Sequence, residues 1–203
     1  MPTSLNLTPA AWQLWCFAAI ALALAVALES DLLESRISNL LVVLLLVVGV
    51  ALQAAGPANE RDGMFGAFPG ALGAGKALLG AATGLVLFLP MYLAGAMGAG
   101  DVKFMAALGA FAGPPDVVGL ALSIAVCGGA LSLVLTVARR KTAAAWGNVV
   151  RIVSALTHPL GSEQRFDPAT QTALRMPYAL AFVCGVAGYG YWRQTGHPAL
   201  LGF

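Results

Sequence analysis

Two short stretches carry the groups that could do chemistry. "LESDLLESRISNLL", residues 28–41, holds Glu29, Asp31, Glu34, Arg36 and Asn39. "GAGDVK", residues 98–103, places Asp101 and Lys103 directly behind Gly98 and Gly100. Both stretches abut long apolar runs, where ionisable side chains are costly and by default point to a functional site. Glycines ahead of Asp101 let another backbone approach closely, and the position reads as a helix N-cap whose carboxylate accepts backbone N–H bonds. Two carboxylates sharing one site cannot both ionise easily, so one keeps a proton. Such a pair activates a water and protonates a leaving amine, which is peptide-bond hydrolysis without a metal or a nucleophilic serine. On helix-dipole grounds Asp101, opening a helix, favours the carboxylate, while Asp31, following a helix C-terminus, favours the protonated form. The pair would nonetheless titrate jointly. The plain alternatives are solvated loop acids at 28–41 and an N-cap with a snorkelling lysine at 98–103.

Other chemistries find little support. His158 and His197 each precede a proline, and neither neighbours a serine, cysteine or carboxylate cluster suited to catalysis. Cys16, Cys127 and Cys184 lie in separate apolar runs without the short spacings that zinc sites use, so they read as packing residues. Neither a metal nor a cofactor is expected. A net charge of +2, with the basic residues gathered in one loop, gives no reason to expect nucleic acid.

The elements that must position the two aspartates follow from composition. Of 203 residues 59% are hydrophobic and 10% charged, against about a quarter charged in an average soluble domain. No charge occurs in 1–28, 40–59 or 77–100, and Asp116 stands alone between 104 and 138. The expected fold is therefore all-α, a single polytopic membrane domain over 1–203. Its spans fall near 10–28, 37–55, 77–97, 102–113, 117–138 and 177–193, about six helices. The fourth has only roughly 12 residues before Pro114-Pro115, about 18 Å against a hydrocarbon core of roughly 30 Å. The N-terminus has no basic residue ahead of its apolar run, which argues for a permanent helix over a cleaved signal.

The loop 139–175 holds Arg139, Arg140, Lys141, Arg151, Arg165 and Arg175 against Glu163 and Asp167, and the positive-inside rule assigns it to the cytoplasm. Within it Trp146, Val149, Val150, Val153 and Leu156 recur at helical spacing, as in a helix lying on a leaflet. Six spans then put 29–36 and 98–103 on that same side and the charge-balanced loop 56–76 on the other. Asp31 and Asp101 thus arrive at one membrane face.

At this point the residues resemble a known family. Gly98-Ala-Gly100-Asp101-Val102-Lys103 matches the GxGDxK signature of the type IV prepilin peptidases, which are GxGD membrane aspartyl proteases. Asp31, followed by Ile37 and Asn39, resembles the family's other motif, although Ser38 stands where proline is usual. "RMPYALAF", residues 175–182, looks like the family's Pro-Tyr/Phe segment opening the last span. The resemblance implies that Asp31 and Asp101 are the catalytic pair. Gly98 and Gly100 would shape the turn, and Ile37, Asn39 and Lys103 would be motif neighbours. It further implies a bacterial inner-membrane enzyme, active at the cytoplasmic face, that removes a short basic leader from prepilin or pseudopilin polypeptides. Longer members carry paired CxxC motifs and also methylate the trimmed pilin. This chain lacks those cysteines and is more similar to the short peptidase-only type of tight-adherence (Flp) systems. Two rival classes are a non-enzymatic assembly component of a pilus or secretion system and a proton-coupled carrier. The carrier would be favoured by an inverted repeat, which the sequence does not show.

Overall fold

A computed structural model of the chain describes residues 8–34, 38–58, 63–66, 68–94, 97–138 and 178–199. Within them the chain forms five helices: α1 (Pro9–Glu34), α2 (Asn39–Ala55), α3 (Ala74–Leu93), α4 (Ala99–Ala138) and α5 (Tyr178–Gln194). Among the described residues there is no strand, only an isolated bridge between Ala58 and Ala71. Ile37, Arg36, the basic loop 139–175 and its apolar stripe at 146–156 lie outside the described residues.

Leucine, valine and alanine dominate α1 to α4, and the outer faces stay apolar. Trp15 and Leu22 on α1, Val43 and Val47 on α2, Leu79 and Val86 on α3, and Val126 and Leu133 on α4 are all exposed. Soluble monomers rarely expose apolar surface on this scale. Three helical stretches, Pro9–Leu33, Ala74–Leu93 and Ala99–Leu135, are long and apolar enough to cross a bilayer, and Asn39–Ala55 is a shorter apolar helix. The chain is a helical membrane protein.

The sequence boundaries shift in two places. α1 continues past the apolar run to Glu34, so Asp31 lies in its last turn rather than after it. Charge marks where apolar surroundings end, whereas Leu and Glu are good helix formers and let the helix run on. The second shift concerns Pro114-Pro115. A single residue, Gly113 (φ 74°, ψ 173°), breaks α4 into two arms, residues 99–112 and 114–138. The left-handed conformation suits glycine, and the prolines fall at the first positions of the second arm, where a missing N–H is harmless.

α3 packs on the first arm of α4 through backbone contact. A methyl at Gly109 would lie 2.3 Å from the Gly80 carbonyl oxygen, and one at Gly84 would lie 2.8 Å from that of Met105. Small residues at such crossings let helix backbones meet in lipid, where burial of apolar surface gives little driving force. Gly185 of α5 makes the same kind of approach to Ile124 on the second arm of α4. Gly109→Val is therefore expected to deplete folded, monodisperse protein on size-exclusion chromatography in detergent. Overpacking of this kind destabilises by about 1–3 kcal/mol or more. Gly75→Ala, whose methyl would meet nothing within 4 Å, should elute as wild type.

Helix ends gather at two poles. At one, the Trp12 indole N–H donates to Leu52 O (2.8 Å), and Gln13 donates to Met64 O (2.8 Å). Gln53 donates to Phe111 O (2.6 Å) at the end of the first α4 arm and accepts from the Leu72 N–H (2.8 Å). The Gln53 bond satisfies the Phe111 carbonyl, whose helical donor would be the N–H that Pro115 lacks, while Leu52 O also accepts the Gly56 N–H at 3.0 Å. Phe65 inserts between Phe17 and Tyr189, edge-on to both. Below it Asp116, fully buried, pairs with Arg193 Nε at 2.8 Å and accepts the Tyr189 hydroxyl at 2.7 Å. The opposite pole holds the aspartates.

Candidate active site

Asp31 comes from the last turn of α1 and Asp101 from the first turn of α4. Both are half-buried. Asp101 is the third residue of α4 rather than its N-cap, and its Oδ2 reaches back to accept the Gly98 N–H at 3.2 Å. That is the reach-back half of a capping box, in which the third helical residue satisfies the backbone donor just ahead of the helix. Gly98 O in turn accepts the Val102 N–H at 3.5 Å. A methyl on Gly98 would stand 3.4 Å from Asp101 Oδ2, in ordinary contact. Glycine here leaves one face of the carboxylate uncovered rather than relieving a clash. Val102 and Phe104, on either side of Lys103, are buried and fix the turn to the core.

Asp31 is held from a different direction. Its Oδ2 accepts the Ala179 N–H at 3.1 Å. Ala179 lies in the first turn of α5, where the backbone donors and the helix dipole favour a negative group. The dipole argument that set Asp31 apart as the acid thereby loses its footing, because each aspartate rests on the N-terminal end of a helix.

The two carboxylates are electrostatic neighbours: the Asp31 charge acts on Asp101. Tyr178, the first residue of α5, is half-buried against the core and feels the charge of Asp101 in the same way. The structure therefore brings Asp31, Asp101 and the start of the "YALAF" segment to one place. It also joins two motif residues, because Lys103 Nζ donates to Asn39 Oδ1 at 3.1 Å. Gly100 lies in the first turn of α4 beside Asp101. Ile37 lies outside the described residues. Glu29 is exposed, two residues before Asp31 in α1. His197 is far from it, at the opposite pole, stacked on Trp192 with its carbonyl oxygen accepting from Arg193 (3.0 Å).

Among the described residues no group of His, Cys, Asp and Glu is arranged to hold a metal ion. Sequence reasoning did not single out the Ala179 N–H as a partner of Asp31. Nor did it find Gln53, Arg193 or Tyr189 at the far pole. Backbone donors carry no side-chain signature, and these partners are distant in sequence.

The fold and the site together define a helical membrane protein with two carboxylates at one pole, each fixed by the start of a helix. A model of the type IV leader peptidase family matches residues 17–133, more than half of the chain, and the protein belongs to that family. The match spans both aspartates, Asn39 and Lys103 and stops before α5. It makes the protein a peptidase, and hence a hydrolase. Neither a curated relative nor a solved structure matches the chain.

Proposed function

We propose that this protein is a membrane aspartyl endopeptidase that removes the short basic leader from prepilin-like polypeptides with Asp31 and Asp101 as its catalytic pair. The observation that supports the reading is the placement of both residues at one pole, Asp31 on the last turn of α1 tied to the start of α5 and Asp101 on the first turn of α4. With one proton between them, the ionised carboxylate takes a proton from a water as its oxygen adds to the scissile carbonyl carbon. The protonated partner hydrogen-bonds the developing oxyanion. The tetrahedral species then collapses, the C–N bond breaks, and the leaving nitrogen takes a proton from the dyad. A new carboxylic acid and a new amine result, the acid's proton passes to the amine, and the pair again holds one proton.

The reading extends to placement. Six spans, with the two α4 arms counted separately and the first one short, put the dyad at the cytoplasmic face of the bacterial inner membrane. The positive-inside rule applied to loop 139–175 supports that orientation. The short first arm of α4 leaves depth at this pole for an extended leader, since a peptide must leave its helix to be cut. Glu29 offers negative charge to a basic leader. The cysteines form no C-x-x-C pair, which supports a peptidase without N-methyltransferase activity, as in the short Flp-type enzymes. A candidate Flp-type prepilin co-expressed with the wild type should yield the leader-cleaved band, and with Asp101→Ala only the precursor. Equal cleavage by the two would overturn the reading.

A further inference from the structure

We infer that the Lys103–Asn39 hydrogen bond is a positioning strap that holds Asp101 in register with Asp31. The inference deepens the peptidase reading above and rests on it.

Among the described residues, two side-chain hydrogen bonds join four of the helix ends at this pole in pairs. Asp31 ties the end of α1 to the start of α5 through Ala179. Lys103 ties the start of α4 to the start of α2 through Asn39. Asp101 makes its own bond to Gly98, three residues away in the same turn. That bond shapes the turn but moves with it and cannot set its position relative to α1. Val102 and Phe104 seat the turn in the core, with Phe104 edge-on to Phe182 of α5, while backbone contact with α3 begins deeper, where Met105 meets Gly84 and Gly109 meets Gly80. At greater depth Phe111 meets Gly49 and Gln53 of α2. Among the described residues, the Lys103–Asn39 bond is the one side-chain link between α2 and α4 at the level of the dyad. Asn39 is the first residue of α2 and follows Asp31 by a short connection, so a tie to Asn39 is a tie to the strand of chain that leaves Asp31.

Helix stability does not account for Lys103. Lys103 is the fifth residue of α4, near its N-terminal end, where a cation gains nothing from the helix dipole. A lysine that only snorkelled toward lipid headgroups would place its charge with equal effect whatever residue stood at 39. The strap needs both partners, and that difference is measurable.

The test compares purified wild type with Asn39→Ala, Lys103→Met and the double variant, on a synthetic prepilin peptide in detergent. Both side chains are exposed, so folded yield should be unchanged. Each single variant should lose between about 10- and 100-fold in kcat with KM nearly constant, as expected when reacting groups are misplaced by about an ångström. The double variant should lose no more than the worse single one. In a Cys127→Ser, Cys184→Ser background, Asn39→Cys with Lys103→Cys should be slow until bridged by dibromobimane and then recover. Recovery would show that the link, and not the charge, is what the site needs. Additive losses, or bridging without recovery, would overturn the strap. Asp31→Asn run alongside keeps the outcomes separate: if it abolishes cleavage while the strap variants do not, the peptidase reading stands and the strap falls.

Discussion

Asp31→Asn should lower leader cleavage by on the order of 10⁴-fold or more, the scale seen when one member of a catalytic unit is removed. The substitution changes a single atom and one charge. Asparagine keeps a carbonyl oxygen where Asp31 Oδ2 accepts the Ala179 N–H, so the tie between α1 and α5 survives. What is lost is the capacity to share a proton with Asp101. Asp101→Asn should do equal damage, although its bond to Gly98 can likewise be retained. Because the two act as one unit, the double variant should be no worse than either single one. Quantitative immunoblotting of precursor and mature substrate, with enzyme levels matched, measures all three. Substantial cleavage by Asp31→Asn would refute the dyad, since no other described acid stands beside Asp101.

The second large effect belongs to the far pole and touches stability. Asp116→Ala should destabilise the protein by about 3–5 kcal/mol, the usual result of removing one partner from a buried ion pair. Asp116 is 0% exposed and Arg193 7% exposed, so neither charge can fall back on water. The Tyr189 hydroxyl would lose its acceptor as well, and a buried donor left without a partner adds its own desolvation penalty. Replacing both charges by apolar groups of similar size removes the penalty along with the attraction. Asp116→Leu combined with Arg193→Met should therefore be less destabilised than Asp116→Ala. Unfolding in mixed micelles of increasing SDS content, followed by far-UV circular dichroism, would rank the variants. A double variant weaker than the single would count against this account.

The two predictions concern residues of very different legibility. Asp31 and Asp101 stood out because charge is rare here and each interrupts an apolar run. The same scarcity located the helices, but not their ends. Leu32, Leu33 and Glu34 extend α1 regardless of where the apolar surroundings stop. Asp101 was placed at the right helix start but at its N-cap, three positions before its place in α4, because both an N-cap and a third-position acid satisfy backbone donors of the first turn. The break in α4 was visible in Gly113-Pro114-Pro115, while its geometry was not.

Asp116 was noticed only as an isolated charge. Its meaning depends on Tyr189 and Arg193, which arrive from the other end of the chain. Gly80 and Gly109 also acquire their role only when α3 and α4 are side by side. In both cases the information lies in a pairing, and neither member announces its partner.

The pole built around Trp12, Gln53, Phe65 and Asp116 has a bearing on how such an enzyme can exist in a bilayer at all. Hydrolysis demands water beside Asp31 and Asp101, and a wet cleft between short helices is the beginning of a pore. The opposite pole is closed by buried side chains. The first arm of α4 stops at Gly113, and the gap beyond it is filled by Gln53, Phe65 and the Asp116–Arg193 pair instead of solvent. On the proposed function, a helix shortened for substrate access at one surface calls for a closed far end, and the buried residues of the opposite pole would supply that closure against leakage of ions.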